Sequence, residues 1–138
     1  RGFLHSHSYT GNALACAAAL ATLEIFEQEP VLENNRVTAG HMLRAVDHLR
    51  DHPHVGEIRQ TGMILALEMV RDRKTLEPYD WKERRGMRVY RHALDHGVLL
   101  RPIGNTVYFM PPYVINEREI KLMVEAAEGG IAIATGEA

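Results

Sequence analysis

Residues 55–70, VGEIRQTGMILALEMV, carry the clearest indication of the architecture of this chain. Alternating polarity and β-favouring residues predict two strands, Val55 to Gln60 and Met63 to Val70. Thr61-Gly62 lies between them and predicts a turn. Strands joined by so short a connection pair in the antiparallel sense.

The two segments before this hairpin have the period of α-helices. From Ala13 to Gln28 apolar residues cover nearly every side, which predicts a long apolar helix that packs against partners on several faces. Pro30 interrupts the pattern, and a second helix is predicted from Val31 to about Arg50. Its apolar residues fall on one face: Ala39, Met42, Leu43, Val46 and Leu49.

Downstream of the hairpin, helices and strands alternate again. After a charged connection, Asp80 and Glu83 predict a capped helix that ends at Gly97. Its inward stripe is predicted to be Trp81, Val89, Tyr90, Ala93 and Leu94. Short strands are predicted at Val98 to Leu100 and Val107 to Met110.

A final helix is predicted from the capping pair Asn116 and Glu119, with Gly129-Gly130 ending or fraying it. This order of elements predicts an α+β fold: a small, mainly antiparallel sheet with helices on one face, preceded by the apolar helix.

Composition excludes several classes of function. Sixteen Lys and Arg against eighteen Asp and Glu give a formal charge of -2, which provides no basic surface for nucleic acid or an anionic membrane. No apolar run reaches the roughly 20 residues of a membrane span. A single cysteine, Cys16, excludes an internal disulfide and favours burial in a reduced, cytoplasmic protein. The opening at Arg1 is typical of the interior of a longer protein.

The stretch LRPIGNTVYFMPP, from Leu100 to Pro112, contains the first candidate site. Arg101 precedes a proline, which favours extended backbone and limits where the guanidinium can point. Such a planar fork suits bidentate carboxylate recognition. The alternative is an arginine that forms a structural ion pair.

The stretch His5-Ser6-His7-Ser8-Tyr9-Thr10-Gly11-Asn12 lies directly before the first helix, where free N–H groups and the helix dipole favour an anion such as phosphate. The alternative is that Thr10 or Asn12 only caps the helix. The pairs His48/His52 and His92/His96 have the spacing of metal ligands but lack a third ligand, so we interpret them as surface histidines. The run Lys82 to Arg85 is interpreted as a solvated helix face.

Three stretches, His5 to Asn12, Ile58 to Ile64 and Leu100 to Pro112, resemble the class III pyridoxal-phosphate aminotransferases. The resemblance implies a fold type I homodimer, with residues 1–29 ending the large domain and residues 30–138 forming the small carboxyl-terminal domain. It implies that Ser8 contacts the phosphate of pyridoxal 5'-phosphate in the neighbouring subunit. It also implies that Arg101 binds the carboxylate of a small-molecule keto acid and that Tyr108 lies close to this substrate.

Within the family, Arg101 to Tyr113 is most similar to the branch that uses an amino donor to convert 8-amino-7-oxononanoate to 7,8-diaminononanoate in biotin formation. The donor, S-adenosylmethionine or lysine, is left open. Aminotransferase chemistry needs a lysine that binds the cofactor covalently. None of Lys74, Lys82 and Lys121 has a setting that resembles the family's lysine, so an isolated carboxyl-terminal fragment is expected to be inactive. The alternatives are another class III transaminase of ω-amino acids and a non-catalytic α+β binding module.

Overall fold

The computed structural model describes residue 2 and residues 7–136. The chain divides into two compact units, Arg1–Asn34 and Asn35–Ala138. Among the helices of the described residues, none combines the length and the apolar character that crossing a bilayer requires.

The first unit contains helix α1, Ala13–Gln28, and the start of helix α2, Val31–Ala45. The side chain of Asn12 caps α1 by accepting a hydrogen bond from the Ala15 N–H at 3.0 Å. The helix was predicted correctly, but the expected burial of Cys16 was wrong, because its side chain is exposed. None of the sixteen residues of α1, all of them described, is buried.

The second unit is built on an antiparallel sheet. Its strands are β1 (Val55–Thr61), β2 (Ile64–Asp72), β3 (Glu77–Pro78), β4 (Arg101–Ile103) and β5 (Thr106–Phe109). The order across the sheet is β1-β2-β5-β4, and β3 pairs with the end of β2. The predicted hairpin is confirmed, since Thr61 pairs with Ile64 across a two-residue turn. The short strand β3 was missed and lies in the predicted charged connection.

One face of this sheet forms the core. Along β2 the fully buried side chains are Leu65, Leu67 and Met69, which alternate with partly exposed residues. Burial of such a side chain stabilises the fold by roughly 1.5–3 kcal/mol. The same core cluster takes in residues from the three helices of this unit: Ala39 and Met42 of α2, Val89 and Ala93 of α3 (Arg85–Asp95), and Ile120 and Ile131 of α4 (Glu117–Thr135). The helices therefore cover one face, as predicted.

Two helix predictions need correction. The helix expected to reach Arg50 ends at Ala45, and a 3₁₀ turn, Asp47–Asp51, continues the chain while keeping Leu49 buried. The cap predicted at Asp80 belongs to a separate 3₁₀ turn, Trp81–Glu83, where Asp80 accepts from the Lys82 N–H at 3.0 Å. Trp81 and Leu94 were predicted to point inward, but they are 72% and 50% exposed.

Helix α4 begins as predicted but continues through Gly129-Gly130. Asn116 and Glu119 form both hydrogen bonds of a capping box. A Cβ on Gly129 would lie 2.4 Å from His92 Nε2, and one on Gly130 would lie 2.8 Å from Val89 Cγ1. The glycines therefore permit close contact between α4 and α3, and this packing outweighs their low helix propensity.

The strand predicted at Val98 to Leu100 begins at Arg101 instead. Val98 donates its N–H to the carbonyl of Ala93 at 2.8 Å, so the residues directly after α3 close that helix. Pairing with β5 starts only at Arg101.

Candidate functional site

The hairpin of β4 and β5 brings two predicted site residues together. Arg101 and Tyr108 are directly paired across the two strands, and directly paired residues point to the same face of a sheet. Tyr108 pairs in turn with Ala66 of β2, and Ala66 pairs with Arg59 of β1. Two arginines thus belong to one cross-strand row, on the face opposite the core.

Arg59 is already engaged by carboxylates. Its Nη1 lies 2.5 Å from both Glu57 Oε2 and Glu68 Oε2. The bond to Glu68, followed by that to Glu57, raises the pKa of the Arg59 guanidinium. Arg59 therefore has its charge compensated within the sheet and is a poor candidate for an incoming anion.

Arg101, in contrast, is exposed and forms no ion pair or side-chain hydrogen bond with the described part of the chain. The alternative that it is a structural ion-pair partner thus has no support within these residues. Arg101 and Tyr108 line a cavity of about 240 Å³, whose other walls include Leu99, Met110 and Met123. A cation beside apolar walls suits a ligand with a carboxylate and an aliphatic chain.

A larger hollow, of about 470 Å³, lies between α2 and α4. Two histidine–glutamate pairs belong to its lining: His41 with Glu117 at 3.0 Å, and His48 with Glu128. Cations and carboxylates both line it, so it favours no single class of ligand. We therefore assign the candidate site to the smaller cavity.

The turn between β4 and β5 is held in place on two sides. Gly104 has a φ of +59°, the left-handed conformation that glycine adopts readily as the first residue of a two-residue hairpin turn. The side-chain amide of Asn105 donates to the Tyr79 carbonyl at 2.8 Å, and the Asn105 carbonyl accepts from the Met69 N–H at 3.0 Å. These bonds fix the hairpin that carries Arg101 and Tyr108.

Arg85 was expected to be solvated, but the structure shows that its side chain is half-buried and contacts several residues. Its guanidinium lies 3.9 Å from the centroid of the Tyr79 ring and donates to Glu83 and to the carbonyl of Ala134. The Tyr79 hydroxyl lies 2.9 Å from His54 Nδ1. Arg85 and Arg71 lower the pKa of the Glu83 carboxyl.

Ser8 lies in the first unit, in the turn before α1. His7 donates its N–H to Thr10 Oγ1 at 3.0 Å, and Asn12 donates its N–H to the carbonyl of Tyr9 at 3.0 Å. Asn12 caps the helix, and the phosphate site at this stretch stays a prediction. Ser8 is exposed and takes no part in these bonds. His5 and Ser6 of the same stretch lie outside the described residues.

The residues present fit only part of a pyridoxal-phosphate site. An exposed hydroxyl at Ser8 and the amino end of α1 suit contact with a phosphate. The three lysines are exposed: Lys74 in a loop, Lys82 in the 3₁₀ turn, and Lys121 on α4, 3.7 Å from Glu125. A lysine activated for covalent catalysis needs a desolvating pocket or a neighbouring cation, and these three lack the desolvating pocket. Within the described ranges, no three histidine, cysteine or acidic side chains group closely enough to hold a metal ion.

The row formed by Arg59, Ala66, Tyr108 and Arg101 was not predicted from the sequence. The signal was present in the alternation of each strand, but the row requires the pairing register of four strands. Register depends on which hairpins meet in the folded sheet.

Comparison with known proteins gives consistent matches. The family model for class-III aminotransferases matches residues 2–129. An adenosylmethionine-8-amino-7-oxononanoate aminotransferase from Geobacter sulfurreducens is 45% identical over 134 residues, which cover 97% of this chain and 30% of that protein.

Solved structures agree with these matches. The crystal structure of the enzyme of the same name from Methanocaldococcus jannaschii matches with a TM-score of 0.84 and 41% identity, over 98% of this chain and 30% of that one. A PLP-bound aminotransferase mutant from Vibrio fluvialis matches with a TM-score of 0.88 and 27% identity, over 98% of this chain and 30% of that one. The chain thus spans about 30% of the length of these relatives.

Proposed function

Because the chain belongs to the class III aminotransferases, we propose that it forms the carboxyl-terminal portion of an enzyme that converts 8-amino-7-oxononanoate to 7,8-diaminononanoate in biotin biosynthesis. The observation that carries the proposal is the guanidinium of Arg101, which has no ion-pair partner among the described residues and lines the cavity beside Tyr108. The substrate has a carboxylate at the end of an aliphatic chain, which matches a cation beside Leu99 and Met110.

In this proposal the chain positions substrate and cofactor. Pyridoxal 5'-phosphate supplies the electron sink for amino transfer when it is bound. Ser8 contacts the phosphate of the cofactor in the neighbouring subunit of a homodimer, Arg101 binds the keto-acid carboxylate, and Tyr108 lies against the substrate. Residues 1–29 end the large domain and residues 30–138 form the small domain. The enzyme acts in the cytoplasm.

The test of the proposal is Arg101→Ala in the complete enzyme. Loss of one charge-assisted hydrogen bond costs about 1.5–3 kcal/mol, which corresponds to a rise of about 10- to 150-fold in KM for 8-amino-7-oxononanoate. Arg101→Lys keeps the charge but loses the bidentate fork, so we expect an intermediate KM. Arg91→Ala, at an exposed position on α3, is the matched control and should leave KM unchanged. An unchanged KM for Arg101→Ala would leave this arginine with only a structural role.

Assays of the complete enzyme also separate the candidate substrates. Activity with ω-amino acids and none with 8-amino-7-oxononanoate would favour the other class III transaminases. The isolated chain is expected to show no aminotransferase activity, since it lacks a suitable lysine. If borohydride reduction attached the cofactor to Lys74, Lys82 or Lys121 of the isolated chain, that expectation would be wrong.

A further inference from the structure

The start of α3 lies unusually close to the β4–β5 hairpin. Gly86 is the second residue of α3 and is buried. A Cβ built on Gly86 would lie 2.4 Å from the carbonyl oxygen of Gly104 and 2.7 Å from Pro102 Cβ. Both distances are far inside van der Waals contact, so the hairpin occupies the space that any other residue at position 86 would need.

This contact reaches two residues just after Arg101, one within its strand and one in the turn. Pro102 follows Arg101 directly, and Gly104 is the first residue of the turn. The oxygen of Gly104 belongs to the backbone and cannot rotate away as a flexible side chain does. The turn is also tied to Tyr79 and Met69 through Asn105. A side chain at position 86 can therefore be accommodated only by displacing the hairpin or α3.

We propose that Gly86 is a positioning residue for Arg101. Because Gly86 has no side chain, the hairpin packs close enough to α3 for the guanidinium to point at the carboxylate of the amino acceptor. The inference rests on the proposed function of Arg101. Gly86 does not touch the substrate and acts through Pro102 and Gly104. A misplacement of about 1 Å in a positioning group can reduce activity on the order of 100-fold, so a displaced hairpin has a measurable consequence.

The test uses Gly86→Ala in the complete enzyme with two acceptors, 8-amino-7-oxononanoate and the same amino ketone without its carboxyl group. We expect KM for the carboxylate acceptor to rise by about 10-fold or more, as for a misplaced binding group. KM for the acceptor without the carboxyl group should stay the same. An equal effect on both acceptors, or on neither, would overturn the proposal.

A matched control separates positioning from general destabilisation. Gly56→Ala also introduces a close contact, 2.7 Å from Val70 Cγ1, but on β1, the edge of the sheet opposite β4. This variant should lose stability and keep the wild-type ratio of the two KM values. A shift of that ratio in Gly56→Ala would show that the readout reports stability, and would overturn the inference.

Pro102→Ala serves if Gly86→Ala does not fold. It adds no heavy atom, keeps the Cβ that lies close to position 86, and opens the ring that restricts the backbone of Arg101. We expect KM for the carboxylate acceptor to rise several-fold, by the same loss of fixed geometry. If Gly86→Ala does not fold and Pro102→Ala leaves KM for the carboxylate acceptor unchanged, the proposal is overturned.

The Arg101→Ala background distinguishes failure of this inference from failure of the proposed function. If Arg101→Ala alone leaves KM unchanged, the proposed role of Arg101 fails. If it raises KM, adding Gly86→Ala or Pro102→Ala should change KM no further, because each acts through the missing guanidinium. A full additional effect in the double variants would overturn the positioning role while leaving that of Arg101 intact.

Discussion

Arg85→Met should lower the free energy of unfolding by about 2–4 kcal/mol. The guanidinium lies 3.9 Å from the Tyr79 ring centroid, and its side chain is 17% exposed. A partly desolvated cation–π contact is worth about 1–2 kcal/mol, and a charged hydrogen bond such as that to the Ala134 carbonyl is worth about 1.5–3 kcal/mol. The ion pair with the partly exposed Glu83 adds less than either of these contacts. These contributions overlap, and methionine keeps the aliphatic packing, so the expected loss is below their sum.

The assay is urea unfolding of the chain followed by circular dichroism. With m of about 2 kcal/mol per M, the midpoint should fall by roughly 1–2 M while m stays constant. Arg88→Met, at an exposed position one helical turn further along α3, is the control and should change stability by less than about 0.5 kcal/mol. A loss below about 0.5 kcal/mol in Arg85→Met would refute the reasoning, because Arg85 would then behave as a surface residue.

Two further predictions concern the same unit. The pKa of Glu83 is lowered from its ordinary value of 4.5 by Arg85 and Arg71, so its stabilising effect is complete above about pH 4.5 and disappears as pH falls through the lower folded pKa. Urea titrations of Glu83→Gln should therefore differ from wild type most above pH 4.5 and converge in acid; a constant difference would contradict this. Asn116→Ala removes the capping box of α4 and should cost about 0.5–2 kcal/mol in thermal or urea unfolding, whereas a cost near zero would mean that tertiary packing alone sets the start of the helix.

Local sequence rules predicted the elements that depend on near neighbours. The hairpin around Gly62 follows from alternation and a turn glycine. The caps at Asn12 and Asn116 follow from side chains that bond the N–H three residues later. In each case the partners lie a few residues apart, so the interaction is visible in the sequence.

The errors occurred where distant residues override a local preference. Gly129-Gly130 predicted a helix end, but contact with Val89 and His92 of α3 keeps α4 continuous. Arg85 belongs to a charged run, yet the ring of Tyr79 and the end of α4 enclose it. Helix propensity differs by about 1 kcal/mol between glycine and alanine, which tertiary packing readily exceeds.

The sequence by itself determined the α+β class, the strands that form the hairpin of residues 55–70, and Arg101 as the candidate for a carboxylate. Only the tertiary structure decided that Arg101 lies beside Tyr108 in one row with Ala66 and Arg59. It also decided that carboxylates compensate the charge of Arg59 but not that of Arg101, and that Gly86 contacts the hairpin. The reason is physical: capping and alternation arise within a few residues of chain, whereas strand register and close backbone contact exist only after segments far apart in sequence have packed together.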